Sequence, residues 1–198
     1  MITSFDFLPT VVFAVVMLSW FAFVIVFVAW KKPPSGPDSK REPFSVLGIA
    51  LQGISYLIVW SVHRPFFTPI AKMGKQFEII LAVFTVVVAI SSVWFVSAAV
   101  RRLGKHWSIA ARLVEGHKLV TEGPYGIVRN PIYTGMFGML LATGLAISHW
   151  IGLLIAIALF IVGTLIRVHS EEKLLREAFG AEFAAYERRV PAVIPFLF

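Results

Sequence analysis

His117 to Tyr133 reads H-K-L-V-T-E-G-P-Y-G-I-V-R-N-P-I-Y, a polar stretch between two strongly apolar parts of the chain. Its Gly123-Pro124 and Asn130-Pro131 pairs are turn signals, because the residue before a proline is disfavoured in the α region. A backbone broken twice has N–H and C=O groups outside any regular ladder, so they must bond to water, side chains or a ligand. An ordinary basic cytosolic loop would also fit this composition. The polar side chains at the start of an apolar helix favour a binding segment instead.

The composition is that of an integral membrane protein. Of 198 residues, 58% are hydrophobic and 15% are charged, which is too apolar for a soluble domain of this size. Cysteine is absent, which excludes a disulfide framework, a thiolate metal site and a cysteine nucleophile. The histidines show no metal-ligand spacing, so no metal is expected. The net charge of +7 is expected on cytoplasmic loops rather than on a nucleic-acid surface, since Lys and Arg collect on that side of a membrane.

Five apolar stretches predict an all-α, polytopic membrane fold in a single domain. About twenty residues cross a hydrocarbon core of about 30 Å. The predicted spans are residues 8–30, 44–62, 77–100, 132–147 and 151–168. Residues 1–100 thus hold three transmembrane helices without a recognisable motif. Residues 101–198 hold a polar loop, a helical hairpin and a C-terminal helix, and they are expected to carry the chemistry.

The last two spans predict a tight hairpin followed by an amphipathic helix. Gly135, Gly138, Ala142 and Ala146 recur at helical spacing, so we expect the two hairpin helices to approach closely along this face. Residues 169–189 combine an apolar stripe with charged positions and predict a separate amphipathic helix in the cytosol.

The distribution of basic residues predicts the orientation in the membrane. Of the eighteen Lys and Arg residues, four lie in 31–43, six in 101–130 and five in 167–198, against three in 63–76. An N-terminus on the outside puts fifteen of them on the cytoplasmic side, as the positive-inside rule requires. The polar loop and the C-terminal helix then meet beside the hairpin on that side.

Three motifs in a fixed order resemble a known family. They are H-x-L-V-T-x-G-P-Y-x-x-V-R-N-P-x-Y-x-G from His117, R-x-x-x-E-E-x-x-L from Arg167, and F-G-x-E-F-x-x-Y-x-x-R-V-P-x-x-I-P from Phe179. Together they resemble the isoprenylcysteine carboxyl methyltransferase family and are similar to the wider group of integral membrane methyltransferases, including phospholipid methyltransferases. The resemblance covers residues 117–198.

The resemblance implies carboxyl O-methylation of an isoprenylcysteine or a similar lipophilic carboxylate, with S-adenosyl-L-methionine as the cofactor, at a site facing the cytosol. The positions that it implies for cofactor binding are His117, Leu119, Val120, Gly123, Tyr125, Pro131, Tyr133, Glu171 and Glu172. Arg129 and Arg167 are the expected catalytic residues, and with Asn130 they are expected to hold the acceptor, because a guanidinium fork matches two carboxylate oxygens.

Asn130 departs from the family pattern, in which Arg-His-Pro stands where this chain has Arg-Asn-Pro. An asparagine side chain forms hydrogen bonds but does not take up a proton. A base at this position is therefore excluded in this chain. Methylation of a carboxylate needs no base, since the acceptor is already ionised at neutral pH.

Other functions fit the same motifs. A phospholipid amine or a small thiol is an alternative acceptor, for which a base or an anionic pocket would matter more than two arginines. Sterol-reductase-like NADPH enzymes share a loosely similar Arg-x-Pro-x-Tyr region but usually have more spans. The asparagine also leaves a non-catalytic membrane scaffold of the same fold as an alternative. The expected partners are membrane lipids and a lipophilic or prenylated substrate, and the oligomeric state is not indicated.

Overall fold

Five helices form most of the described structure. The computed structural model describes residues 7–29, 38–69, 74–104, 112–114 and 118–194, with the backbone alone at 38–41 and 112–114. The helices are α1 (Phe7–Ala29), α2 (Ser45–Ser61), α3 (Lys75–Leu103), α4 (Pro131–Ile147) and α5 (Trp150–Glu187). Two short strands, β1 (Asp38–Arg41) and β2 (Arg112–Val114), pair antiparallel, and a 3-10 turn covers Gly123–Gly126.

Three of these helices, α1, α3 and α5, are long and apolar enough to cross a membrane. The other two, α2 and α4, are apolar but only 17 residues long, about 25 Å at 1.5 Å per residue. The predicted all-α membrane fold is confirmed. The count of five spans and the outside N-terminus stay predictions.

The helices pack mainly as α2 against α5 and α3 against α4, with α1 against α3. The largest apolar core lies between α1, α3 and α4, where Val16, Val96 and Met139 are fully buried. Large apolar side chains such as Phe21 and Ile80 point away from this core and are exposed. Such an outward apolar surface suits a hydrocarbon environment.

The small-residue face of α4 packs against α3, so the predicted contact along that face with the next helix is wrong. A Cβ atom added at Gly135 would clash with Val96, and one at Gly138 would clash with Ser92. The two hairpin helices instead approach each other near their turn, where Gly144 lies against Leu153. Small residues at helical spacing predict a close helix contact but do not specify its partner.

The predicted change of helix at residue 169 is also wrong, because α5 is helical through this residue and its helical geometry is interrupted further on, at Gly180. The 30 residues from Trp150 to Phe179, which precede the kink, extend about 45 Å, about one and a half times the thickness of a hydrocarbon core. Non-helical torsion angles occur only at Gly180 within this helix (φ 47°, ψ −115°), a left-handed conformation that glycine adopts without a steric penalty. The C-terminal part of α5 therefore projects past the apolar bundle.

Backbone pairings group the connections at two ends of the bundle. The β1–β2 pairing joins the loop that precedes α2 to the loop that precedes α4, which agrees with the predicted placement of both loops on one side. At the other end of α4, His63 pairs with Ser148, and the Arg64 guanidinium donates to the carbonyl oxygens of Leu145, Ala146 and Ser148. A cation at a helix C-terminus satisfies its last carbonyl groups. Burial lowers the pKa of Arg64 to about 10, so it stays charged at neutral pH.

Two glycines allow α2 and α5 to cross closely. A Cβ atom at Gly48 would lie 2.6 Å from the Gly163 carbonyl oxygen and 2.5 Å from Cγ of Arg167. We therefore expect Gly48→Ala to destabilise the protein by about 1–3 kcal/mol through overpacking, measured as a lower midpoint of thermal unfolding in detergent. Gly53→Ala in the same helix is the matched control, since nothing lies within 4 Å of a Cβ atom there. Equal midpoints for the two variants would contradict a tight crossing.

Candidate active site

The segment before α4 turns twice, as its two proline pairs predict. Gly123, at φ 65°, opens the 3-10 turn. Asn130 leaves the α region (φ −126°, ψ 60°) immediately before Pro131. Pro131 is the first residue of α4, a position at which its missing N–H breaks no helical hydrogen bond.

The C-terminal segment supplies partners for this broken backbone. The N–H of Arg129 donates to the Pro191 carbonyl oxygen at 2.8 Å, and the N–H of Asn130 donates to that of Ala192 at 2.9 Å. These bonds place the end of the described chain directly over the start of α4. The backbone N–H groups of these two residues, which the sequence predicts to lie outside any regular ladder, thus bond within the protein.

A buried ion pair joins this segment to α5. Arg129 donates from Nε to Oε1 of Glu172 at 2.9 Å and from Nη2 to Oε2 at 3.3 Å, and both side chains are only 10% exposed. Nη1 of Arg129 donates to the carbonyl oxygens of Glu187 and Val190. Nδ2 of Asn130 donates to Glu172 at 3.2 Å. One carboxylate and one guanidinium therefore hold together the segment before α4, the helix α5 and the segment that follows α5.

A second polar group adjoins the first through the neighbouring residue Glu171. The Tyr133 hydroxyl donates to Oε1 of Glu171, and Nη2 of Arg167 donates to the same oxygen at 3.3 Å. The Arg167 guanidinium lies 4.8 Å from the centre of the Tyr133 ring, a cation–π contact. Glu171 is 28% exposed along its side chain, well above the 10% of Glu172. Of the two glutamate side chains, that of Glu171 is the more exposed.

Tyr125 is buried next to these groups, and its hydroxyl has no hydrogen-bond partner among the described residues. Burial raises the pKa of Tyr125 well above its ordinary value, and the charge of Glu171 raises it further. The hydroxyl therefore stays protonated. Tyr186 holds the residue in place, since its own hydroxyl donates to the Tyr125 carbonyl oxygen at 2.6 Å. A buried donor without a partner is uncommon in proteins and indicates a place for a polar ligand atom.

The remaining predicted residues differ in their surroundings. Leu119 packs against the apolar cluster of Phe183, Tyr186 and Val190 at the end of α5. Pro131 is buried and Val120 is half-buried, whereas Gly123 is exposed. His117 lies outside the described residues, so its predicted role stays a prediction.

Arg129 was expected to contact the acceptor, and Glu172 was expected to contact the cofactor. The structure instead pairs them with each other, and all three nitrogens of the Arg129 guanidinium donate to protein oxygens. Both oxygens of the Glu172 carboxylate likewise accept hydrogen bonds, Oε1 from Arg129 and Asn130 and Oε2 from Arg129. These bonds give the pair a structural role, and the predicted contacts of Arg129 with the acceptor and of Glu172 with the cofactor stay predictions.

Gln52 of α2 belongs to this site, although the site residues were predicted to lie within residues 101–198. Its Oε1 accepts a hydrogen bond from Nη1 of Arg167 at 3.3 Å. The signal in the sequence was a lone amide inside an apolar helix, and polar side chains inside membrane helices are commonly functional. The pattern alone did not indicate a partner 115 residues away.

The fold and these residues define a helical membrane protein with a polar site where α4 begins and α5 emerges from the bundle. Residues 78–182 match the family model described as phospholipid methyltransferase. The chain belongs to this family.

Curated relatives agree with the resemblance carried by the motifs. The chain is 37% identical over 92 residues to protein-S-isoprenylcysteine O-methyltransferase B of Arabidopsis thaliana, covering 45% of each chain. It is 30% identical over 103 residues to protein-S-isoprenylcysteine O-methyltransferase of Schizosaccharomyces pombe, covering 51% of this chain and 44% of the relative. It is also 33% identical over 99 residues to cobalt-zinc-cadmium resistance protein CzcN of Cupriavidus metallidurans, covering 48% of this chain and 44% of the relative. The matched part thus spans less than half the length of each relative.

Proposed function

We propose that this protein is an S-adenosylmethionine-dependent methyltransferase that methylates the carboxylate of an isoprenylcysteine or a similar lipophilic acid. The observation that carries the proposal is the contact of Arg167 with Glu171 and Tyr133 in a chain similar to two isoprenylcysteine O-methyltransferases. A cation held beside an accessible carboxylate gives one site for an anionic acceptor and one for a cationic donor.

The residues around Tyr125 suit the methyl donor. The Tyr125 hydroxyl, which has no hydrogen-bond partner in the described part of the chain, would bond a polar group of the ligand. The carboxylate of Glu171 and the rings of Tyr125 and Tyr133 favour a sulfonium cation by charge and by cation–π attraction. When bound, S-adenosylmethionine supplies an electrophilic methyl group. By family position we also assign to this site His117, Leu119, Val120, Gly123 and Pro131.

Arg167 is assigned to the acceptor. Its planar fork can bind both oxygens of a carboxylate, and Glu171 and Gln52 set its orientation from two sides. A carboxylate is ionised at neutral pH, so the protein has to orient the acceptor and exclude water, not remove a proton. Asn130, which replaces the family histidine, supports the site indirectly through Glu172.

The orientation in the membrane is part of the proposal. Fifteen of the eighteen basic residues belong to segments 31–43, 101–130 and 167–198, and the described parts of these segments lie at or next to the site end of the bundle. By the positive-inside rule this end faces the cytosol. The water-soluble donor would then reach the site from the cytosol, and the lipophilic acceptor would reach it from the membrane.

Methylation of a phospholipid amine is a second candidate, because the matched family model bears the name phospholipid methyltransferase. An amine acceptor must lose a proton before or during transfer. Glu171, the more accessible carboxylate, is the group that would take it.

Donor binding is the first test. Titration calorimetry of the protein in detergent with S-adenosylhomocysteine is expected to show binding, and Tyr125→Phe is expected to weaken it about tenfold by removing one buried hydrogen bond. Tyr56→Phe is the matched control, since the Tyr56 hydroxyl donates to the Met136 carbonyl oxygen inside the bundle. No binding by the unsubstituted protein would contradict the proposed function and favour a scaffold or a reductase. Equal weakening by both variants would contradict the role of Tyr125.

The acceptor class is decided by transfer of a radiolabelled methyl group. The acceptors are N-acetyl-S-farnesylcysteine, phosphatidylethanolamine and a small thiol, each presented in the same lipid nanodiscs. We expect label on the farnesylcysteine and its loss on mild alkaline hydrolysis, as for a methyl ester. Label on phosphatidylethanolamine alone would replace the first candidate by the second.

A further inference from the structure

Gln52 carries the one side-chain amide of α2 and is buried, with 2% of its surface exposed. Its Nε2 donates to Oγ1 of Thr164 at 2.9 Å, and its Oε1 accepts from Arg167 at 3.3 Å. The reverse orientation of the amide would turn its NH2 group toward a guanidinium, which only donates. The two contacts therefore fix which end of the amide faces Arg167.

The close crossing of α2 and α5 makes this contact possible. Gly48 and Gly163 bring the two backbones together, and a Cβ atom at Gly48 would lie 2.5 Å from Cγ of Arg167. Gln52 follows Gly48 by four residues and so lies on the same face of α2. One turn of α2 thus confines the stem of Arg167, and the next turn holds its charged end.

The side chain at position 52 is a neutral amide, so it adds no charge beside Arg167. An amide oxygen accepts a hydrogen bond from Arg167 without cancelling its charge. Glu171 already pairs with Arg167, so a carboxylate at position 52 would add a second negative charge beside the guanidinium and would repel an incoming anion. The neutral amide therefore adds a hydrogen bond to Arg167 without placing a further negative charge beside a carboxylate ligand.

We propose that Gln52 is a positioning residue that orients the Arg167 guanidinium toward the acceptor carboxylate, with Thr164 fixing Gln52 in turn. The inference rests on the proposed function, because it concerns how that site takes its acceptor. It assigns to α2 a part in acceptor recognition and none in binding the methyl donor.

Three variants test this role in the detergent-purified full chain. Gln52→Met removes both hydrogen bonds at similar volume, Gln52→Glu keeps an acceptor oxygen but adds a negative charge, and Ser55→Ala is the control. The Ser55 hydroxyl is buried on the same face and donates to the Gln52 backbone carbonyl at 2.6 Å, within its own helix. Initial rates are measured against N-acetyl-S-farnesylcysteine and, separately, against the methyl donor, together with the midpoint of thermal unfolding.

Loss of a hydrogen bond to a charged group is expected to lower kcat/KM for the acceptor about tenfold to hundredfold in Gln52→Met. The KM of the donor stays at its original value. Gln52→Glu is expected to lower kcat/KM for the acceptor as well, although it keeps an oxygen in place, and Ser55→Ala is expected to match the unsubstituted protein. A general loss of packing would instead lower the unfolding midpoint and affect donor and acceptor alike.

Unchanged acceptor kinetics in Gln52→Met or in Gln52→Glu would overturn the proposal, and so would parallel changes in the KM values of donor and acceptor. If Gln52→Met does not fold, Gln52→Glu and Thr164→Val decide, the latter being expected to give a smaller loss in the same direction. Failure of the unsubstituted protein to methylate any carboxylate acceptor would instead contradict the proposed function. The two failures are therefore distinguishable.

Discussion

Glu172→Ala is expected to destabilise the protein by about 3–5 kcal/mol, because breaking a buried ion pair leaves an uncompensated charge. The carboxylate accepts two hydrogen bonds from Arg129 and one from Asn130. Without it, the buried Arg129 guanidinium keeps two carbonyl oxygens and, at 3.9 Å, the carboxylate of Glu187. For a chain of this size the midpoint of thermal unfolding in detergent should fall on the order of 10 °C.

Lys173→Ala is the matched control for this prediction. Lys173 is the next residue along α5, pairs with Glu42 and is 51% exposed along its side chain, and exposed ion pairs add little stability. A second check is the double variant Arg129→Met with Glu172→Met. It should be less destabilised than either single variant, because it removes both charges together. A midpoint for Glu172→Ala within the error of Lys173→Ala would contradict the structural role of the pair.

The turns and most of the helices follow from local features of the sequence. Pro131 predicts both a non-helical Asn130 and the start of a helix, and the structure has both. The apolar lengths predict the helices to within a few residues, since about thirty ångströms of hydrocarbon sets the length of an apolar run. Where the sequence has no breaker the prediction failed. At residue 169 the composition changes from apolar to amphipathic, but no residue there disfavours a helix, and α5 continues past it to a kink at Gly180.

Partners across the fold were harder to predict than the elements themselves. Gly135 and Gly138 indicate a close contact, but the choice between α3 and α5 depends on how the whole bundle packs. Arg129 and Arg167 carry the same chemistry in the sequence and were predicted to have the same role. Their surroundings separate them, because Arg129 lies at a bend that directs it to the chain end, and Arg167 lies on α5 beside Gln52 and Glu171.

Arg167→Met is expected to lower kcat/KM for N-acetyl-S-farnesylcysteine by on the order of a thousandfold, as for loss of several kcal/mol of transition-state binding. Arg167→Lys keeps the charge but loses the planar fork, so it should recover only part of the activity. The measurement is methyl transfer at saturating donor, with calorimetry of S-adenosylhomocysteine on the same samples. Donor affinity should fall much less than kcat/KM for the acceptor in either variant, because the donor is assigned to Tyr125, Tyr133 and Glu171, and Arg167 touches the last two without itself binding the donor.

Arg101→Met is the control for this substitution, since Arg101 is exposed on α3 and its Nε donates to the Ser97 carbonyl oxygen of its own helix. It should retain full activity. Stability separates the two arginine sites as well. Loss of Arg167 leaves Glu171 with the Tyr133 hydroxyl and partial access to solvent, so Arg167→Met should unfold at a higher temperature than Glu172→Ala. If Arg167→Met instead lost donor binding and stability together while Arg129→Met kept both, the structural and ligand-binding roles of the two arginines would be the reverse of those assigned.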